Sequence, residues 1–334
     1  MPEIRIDPLS GRRTIVADER SRRPGGAPGL PPELRSTARI DPADDPFAEG
    51  NEQRTPPEIY ALRPDGGGAD SRGWRVRVVR NLYPALSADG SQTRANPAAG
   101  ASGELFQSLP ATGAHEVIIN GPQPVLSLAE LPRAQVLLAV ATWQLRMRAH
   151  RDCACVQLIV NERPEAGASL PHTHAQLYGL DFVPAAVARE RERFGAYATR
   201  TMGQNLLADL VAEEVRLGER IVAMDEDAVL ISPYAARLPF QLMLAPRRPR
   251  ASFEDDGPNG AGLLYDGLCR LARHLGASPP LNLWVRTAPR GAEHFCWRID
   301  VMPRLTHLAG LELSTDINLN VVAPEHAAAL LRDS

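Results

Sequence analysis

Residues Asn161 to Gln176 read NERPEAGASLPHTHAQ. A small-residue loop, Ala166-Gly167-Ala168-Ser169, runs into the pattern His172-x-His174-x-Gln176. Alternate side chains of a strand share a face, so the spacing predicts two imidazoles and an amide pointing one way. A neutral imidazole attacks phosphorus well when its second ring nitrogen donates to a fixed acceptor. Charge in phosphoryl transfer spreads over the non-bridging oxygens, which therefore need donors around them. Gly167, Ser169 and Gln176 offer a backbone N–H, a hydroxyl and an amide. A bare His-x-His also suits two core histidines satisfied by backbone partners. With the loop before it and Gln176 after it, the pattern points to a phosphate ester under attack by His174.

A chain of 334 residues can bury a large core and accommodates two domains or one duplicated domain. The net charge of −3 gives no electrostatic footprint for nucleic acid. All 37 basic residues are arginine, which excludes a lysine Schiff base or a P-loop lysine and leaves bidentate arginine forks for phosphate. Cys153, Cys155, Cys269 and Cys296 match no zinc knuckle or Cys-x-x-Cys pair, and read as core or edge residues. The opening MPEIRIDPLSGRR has no signal-peptide core and no apolar run reaches a membrane span, so a cytoplasmic protein without membrane or nucleic-acid partners is expected.

Around the motif, composition predicts loops at Pro24 to Pro32, Asp65 to Gly73 and Ser87 to Gly103. Strands are predicted over Trp74–Arg80, Glu116–Ile119, Val156–Val160, Ala228–Ile231, Phe240–Ala245, Leu281–Arg286 and Cys296–Val301. Helices are predicted over Ser127–Ala149, over Ala185–Leu217 with a break at Gly203 and a stop at Gly218, from about Gly260 to Leu275, and over Pro324–Arg332. The strand–loop–strand order around 156–177 recurs around 281–302. This predicts an internal duplication of an α+β unit, with a single mixed sheet carrying insertions as the alternative.

The stretch AGASLPHTHAQLYGLDFVP resembles the active-site signature of the galactose-1-phosphate uridylyltransferase family, the nucleotidyltransferase branch of the histidine triad proteins. DPLSGRRTIVADERSRRP, GNEQRTPPEIY, VRNLYPAL, GAHEVIINGPQPVLSLAEL, SPYAARLPFQLMLAPRR, FCWRIDVMPRL and GLELSTDINLNVVAPEHAAALLR resemble the family in its own order along nearly the whole chain. The resemblance implies an α+β fold of tandem duplicated histidine-triad-like domains, each a mostly antiparallel sheet with helices packed on one side. Residues 1–192 would form the catalytic domain and 193–334 the second. It implies a ping-pong nucleotidyltransferase, moving UMP from an NDP-hexose to a hexose-1-phosphate through a nucleotidyl-histidine at His174, without a cofactor. Gln176 and Ser169 would serve catalysis at the phosphate, and Asn161 and Gly167 would line its path. Arg20 and Arg23 would face the nucleotide, and Asn81 and Tyr83 the nucleoside. Glu312 and Asn318 would close over the sugar of a neighbouring subunit in a homodimer. Read as residues alone, Arg20 to Arg23 also suit a solvated turn, Asn81 a turn asparagine, and Glu312 an exposed edge.

Three departures from the family pattern stand out. Many members hold a structural zinc with two cysteines of a CPFCxGNE segment and two histidines. Here the segment is DPFAEGNE, with Asp45 and Ala48 at the cysteine positions, Pro124 or nearby Gln123 at one histidine position, and only His172 retained. Zinc in a structural site takes four nitrogen or sulfur ligands, so no metal is expected there. A second metal site of some relatives has Cys296 and Arg298 in place of its histidine pair, with Glu190 kept. Thr173 stands between the histidines where uridylyltransferases usually have proline, as in the phosphorylase and adenylyltransferase relatives. Phosphorolysis of an ADP- or GDP-sugar is therefore the alternative activity, and a silent nucleotide-binding homologue a third.

Overall fold

The computed structural model of the chain describes residues 2–22, 29–35, 40–88, 105–106 and 109–334. Arg23 and most of the loop predicted at Ser87 to Gly103 lie outside them. The elements run β1 (Glu3–Ile6), β2 (Arg13–Val16), β3 (Glu58–Leu62), β4 (Val76–Arg80), β5 (Gly113–Ile119), α1 (Arg133–Ala149), β6 (Cys155–Glu162) and β7 (His174–Leu180). They continue with α2 (Ala185–Arg200), α3 (Leu206–Leu217), β8 (Ile221–Met224), β9 (Ala228–Ile231), β10 (Leu242–Pro246) and α4 (Ala261–Leu275). The chain closes with β11 (Leu281–Arg286), β12 (Arg298–Pro303), α5 (Gly310–Thr315), β13 (Asn318–Asn320) and α6 (Pro324–Arg332).

Ten of these strands form one sheet in the order β3-β4-β5-β7-β6-β11-β12-β10-β9-β8. Every neighbouring pair in it is antiparallel. Numbered within its own half, each set of five strands has the order 1-2-3-5-4, and each carries one helix, α1 or α4, between its third and fourth strands. The two fourth strands, β6 and β11, pair at the seam, with Asn161 opposite Asn282. The fold is thus α+β and built from two units of identical strand order, whose sheets join edge to edge. A smaller sheet, β1-β2-β13, joins the two ends of the chain, β13 running parallel to β2.

Alternation along the strands decides what each face does. Val156, Leu158 and Val160 of β6, and Ala175 and Leu177 of β7, enter a core with Val136, Val140, Trp143 and Met147 of α1 and Leu264, Leu268 and Leu271 of α4. Each such aliphatic side chain contributes about 1.5–3 kcal/mol on full burial. Residues at the intervening positions must face the other way. In the second unit that other face is covered, because Leu207 and Val211 of α3 and Phe194 of α2 cluster on Val229, Ile231 and Met243. In the first unit it carries a small cluster of Phe47, Trp74, Val79, Val117 and Ile119, and there a cavity opens.

One helix boundary differs from the sequence reading. The helix predicted from Ser127 starts at Arg133, because Leu131 and Pro132 are extended (ψ 153° and 143°). Proline disfavours the α region for the residue before it and offers no N–H to continue an earlier turn. Ser127 instead caps a short 3-10 turn, its side chain accepting the Ala129 N–H. The segment predicted over Ala185–Leu217 does break around Gly203, into α2 and α3, and Asn205 caps the second by accepting the N–H groups of Leu207 and Ala208. Gly218 ends α3 at φ +73°, a conformation that costs glycine no Cβ clash.

Candidate active site

His174 opens β7 on the face away from α1 and is 4% exposed. Its Nδ1 donates to the His172 carbonyl at 2.8 Å, which leaves Nε2 with a lone pair. Burial lowers the pKa of the imidazole, against the pull of that carbonyl, so the neutral form persists. The ring lines a cavity of about 370 Å³ together with Phe47, Arg54, Arg80, Asn81, Tyr83, Ser169 and Gln176. Phe47 meets the His174 ring edge-on, with centroids 5.2 Å apart, and fixes its plane. A neutral imidazole, held in one tautomer on a cavity wall with a hydroxyl, an amide and two arginines, can attack a phosphorus atom and stabilise its oxygens.

Gln176 is oriented by a residue that the sequence reading passed over. His115 on β5 accepts the Ala85 N–H at Nδ1 (3.1 Å), so the proton of its neutral ring sits on Nε2. Burial lowers the His115 pKa and keeps it neutral. Nε2 therefore donates to Gln176 Oε1 at 3.0 Å, and the Tyr178 hydroxyl donates to the same oxygen at 2.9 Å. With Oε1 held twice, the amide nitrogen of Gln176 makes no hydrogen bond to a described residue and remains a donor. The His115 and Tyr178 rings stack at 4.1 Å. The Asn81 amide nitrogen, 3.2 Å from the same His115 Nε2, makes a contact rather than a bond, since both are donors. The signal in the sequence was the alternation itself, because Tyr178 follows Gln176 by two residues.

The other expected residues are distributed unevenly. Ser169, Asn81 and Tyr83 lie on the cavity wall with His174 and Gln176. Asn161 is on the same sheet face, but its Oδ1 accepts the Asn282 amide at 2.8 Å and it does not line the cavity. Gly167, at φ +89°, donates its N–H to the Pro164 carbonyl at 2.9 Å and also lies off the wall. Arg20 sits exposed in the 3-10 turn Asp18–Arg22. Glu312 accepts the Ala309 N–H at the start of α5, and Asn318 is buried on β13, both away from this cavity. Arg54 and Arg80, on the wall, had carried no signal beyond being arginine.

The residues at the zinc position do not fit zinc. Asp45 Oδ2 lies 2.6 Å from His172 Nδ1, and His172 Nε2 donates to the Gly121 carbonyl at 2.8 Å. Both ring nitrogens are thus engaged, both side chains are fully buried, and Ala48 brings no donor atom. The Gly121 carbonyl only accepts, so Nε2 carries a proton and the Asp45–His172 contact shares a second one. This pair ties the segment before β3 to the residue two places ahead of His174. At the second metal position Arg298 lies between Glu190 (3.0 Å) and Asp300 (3.0 Å), a guanidinium where a ligand would be needed. Among the described residues no three His, Cys, Asp or Glu side chains form a metal-binding group. Burial pushes the Cys155 and Cys296 thiols up to about 11, so neither is a thiolate near neutrality.

The family described as "Galactose-1-phosphate uridyl transferase, N-terminal domain" matches residues 70–184, the segment that holds β4 to β7 and His174. An ADP-glucose phosphorylase of Arabidopsis thaliana is 27% identical over 99% of this chain and 93% of its own length. A galactose-1-phosphate uridylyltransferase of Cryptococcus neoformans is 27% identical over 99% of this chain and 89% of its own. The crystal structure of an Arabidopsis thaliana ADP-glucose phosphorylase with bound ADP-glucose superposes with a TM-score of 0.80 over 100% of this chain and 99% of that one, at 24% identity. No helix among the described residues is long and apolar enough to cross a membrane. The matched histidine segment and the whole-length likenesses make this chain similar to the galactose-1-phosphate uridylyltransferases and ADP-glucose phosphorylases, with whose solved structures it shares its fold, and Asp45 and Ala48 stand at the zinc-cysteine positions.

Proposed function

We propose that the protein transfers a nucleoside monophosphate from an NDP-hexose to a phosphate-bearing acceptor by a ping-pong route through His174. The observation that carries this is the neutral, buried imidazole whose Nδ1–H is tied to the His172 carbonyl, with Nε2 left for chemistry. Nε2 attacks the α-phosphorus, the N–P bond forms, and the bond to the β-phosphate oxygen breaks to release hexose-1-phosphate. The histidine keeps its Nδ1 proton, so the adduct is a phosphorylated imidazolium, a good leaving group. An acceptor oxygen then attacks the same phosphorus and returns the neutral imidazole. The Gln176 amide, turned by His115 and Tyr178, and Ser169 donate to the phosphate oxygens, while Arg54 and Arg80 supply positive charge. The chain's own donors therefore perform binding and charge stabilisation in both steps.

The resemblance implies UMP as the group and a hexose-1-phosphate as acceptor. Thr173 favours the alternative, phosphorolysis of an ADP-sugar, because it stands where the resemblance has proline in the uridylyltransferases. Thr173 donates its N–H to the Val125 carbonyl at 2.8 Å, and its hydroxyl accepts from Asn120 at 3.2 Å. A proline there would forfeit the first bond and the hydroxyl would be lost with it. The whole-length likeness to an ADP-glucose phosphorylase supports the same choice. Intact-mass measurement after mixing with UDP-, ADP- or GDP-hexose tests both points. A gain of one nucleoside monophosphate names the base, and release of that adduct by inorganic phosphate or by hexose-1-phosphate names the acceptor. Nucleotide binding without any adduct would leave the silent homologue.

We further propose the division into units 1–192 and 193–334, supported by their common strand order, and a cytoplasmic homodimer in which Glu312, Asn318, Arg20 and Arg23 reach the nucleotide or sugar. Size-exclusion chromatography with light scattering tests the dimer. A monomer at micromolar concentration would remove the role given to Glu312 and Asn318.

A further inference from the structure

The second unit has a cavity at the place that matches the catalytic one. Where the first is lined by Val117, His174 and Gln176, the second is lined by Met243, Arg298 and Asp300, at the same register positions of β10 and β12. It is small, about 50 Å³. Arg12, Arg237, Arg286 and Arg298 line it, against three carboxylates, Asp7, Glu190 and Asp300.

Those carboxylates are already committed. Asp300 takes Arg298 Nε at 3.0 Å, and Glu190 takes Arg298 Nη2 at 3.0 Å and faces Arg286 Nε at 3.4 Å. Asp7 accepts the N–H groups of Leu9 and Ser10. What remains on the wall is a surplus of donors. Arg298 is 5% exposed, and its Nη1 is buried with no hydrogen-bond partner, as are Arg286 Nε and the Trp284 indole N–H. Glu190 Oε2, opposite Arg286 Nε, is the one acceptor in the same condition on this wall among the described residues. Arg237 has no described carboxylate within salt-bridge distance and lies over the Trp284 ring, 5.7 Å from its centroid. Burial and the neighbouring Arg12 both lower its pKa.

A buried donor without an acceptor costs about 1–3 kcal/mol, more when charged. Guanidinium and indole groups only donate, so the occupant must accept. A space of about 10–15 Å³ admits one water, which makes this cavity fit for one tetrahedral oxyanion and too small for a nucleotide. We infer that the second unit holds an oxyanion site for an inorganic anion of phosphate size, gripped by Arg237 and the free edge of Arg298. The duplicated scaffold thus binds phosphate chemistry twice, once for reaction and once for retention.

Selenate is a suitable probe, because its selenium is located directly by anomalous diffraction. Crystals soaked in selenate should show a peak between Arg237 and Arg298, and crystals of Arg237→Gln should lack it. In solution, titration calorimetry with inorganic phosphate on the His174→Asn protein should give a dissociation constant at least about tenfold weaker once Arg237→Gln is added. Among the described residues Arg237 forms no ion pair, so Arg237→Gln should remain folded in phosphate-free buffer, losing only the contact over Trp284. Water alone between Arg237 and Arg298 in selenate-soaked crystals, or an unchanged phosphate affinity in Arg237→Gln, would overturn the inference.

Discussion

His174 opens β7 and Arg298 opens β12, at equivalent places in two units with the same strand order. Gln176 and Asp300 follow two residues on, facing Val117 and Met243 across the neighbouring strand. In the first unit the site face is open, and its imidazole is neutral with one nitrogen unclaimed. In the second, α2 and α3 cover part of that face, and a permanent cation sits between two carboxylates. Burial opposes the Arg298 charge, and Asp300 with Glu190 more than restores it. One scaffold thus supports a neutral imidazole on a cavity wall where it is left uncovered and an ion-pair core where it is roofed. The difference lies in three side chains and two helices, not in the sheet.

The sharpest way to break the comparison is at its two centres. His174→Asn should eliminate the nucleotidyl adduct and reduce turnover on the order of 10⁴-fold or more, while nucleotide binding persists. A surviving adduct by mass spectrometry would move the nucleophile elsewhere. Arg298→Leu should do the converse, lowering unfolding free energy by about 3–5 kcal/mol because Asp300 is left buried and unpaired and Glu190 keeps only Arg286. Denaturant titration measures this, and the folded fraction should still form the adduct at His174.

The seam between the units gives a smaller effect with a defined sign. Glu162, opposite Leu281, accepts the Leu128 N–H, and complete burial pushes its pKa up to about 7. A raised carboxyl pKa contributes stability below the ordinary value of 4.5, and that stability is lost as pH rises through about 7. Glu162→Gln should therefore be more stable than wild type at about pH 8, by about 1–2 kcal/mol after the cost of burying an amide N–H. Thermal unfolding across pH should show the advantage vanish toward acid, and a constant difference would refute it.

Within the first unit, His115→Phe keeps the stack on Tyr178 but releases Gln176. It should lower kcat about tenfold with KM little changed, since the amide acts on charge that develops during transfer. A rise in KM alone would make His115 a binding residue. The smallest effect concerns pH. Because burial lowers the His174 pKa, adduct formation should persist below the ordinary imidazole value of about 6.5, and an acid limb centred at or above that value would contradict the site's geometry.

Much of this was legible along the chain. The 2-residue alternation of His172, His174 and Gln176 gave the face, and the β-branched runs gave most strands, because both are local consequences of the pleat. Gly203 and Gly218 marked the helix ends for the same local reason. The start of α1 was misplaced because Pro132 sits inside an apolar pattern that continues on both sides of it. His115, 59 positions before His174, carried no local sign, since only the β5–β7 register brings it beside Gln176.

Sequence by itself determined that His174 follows a small-residue loop and alternates with His172 and Gln176, that Asp45 and Ala48 stand at the zinc-cysteine positions, and that arginine alone serves as cation beside histidine. Those are matters of residue identity and short spacing. Tertiary structure decided which donors share the cavity wall with His174, that Asp45 and His172 bond each other, and that Asn161 is claimed by Asn282. These depend on strand register and on which face a helix covers, and both are set by contacts between residues far apart in the chain.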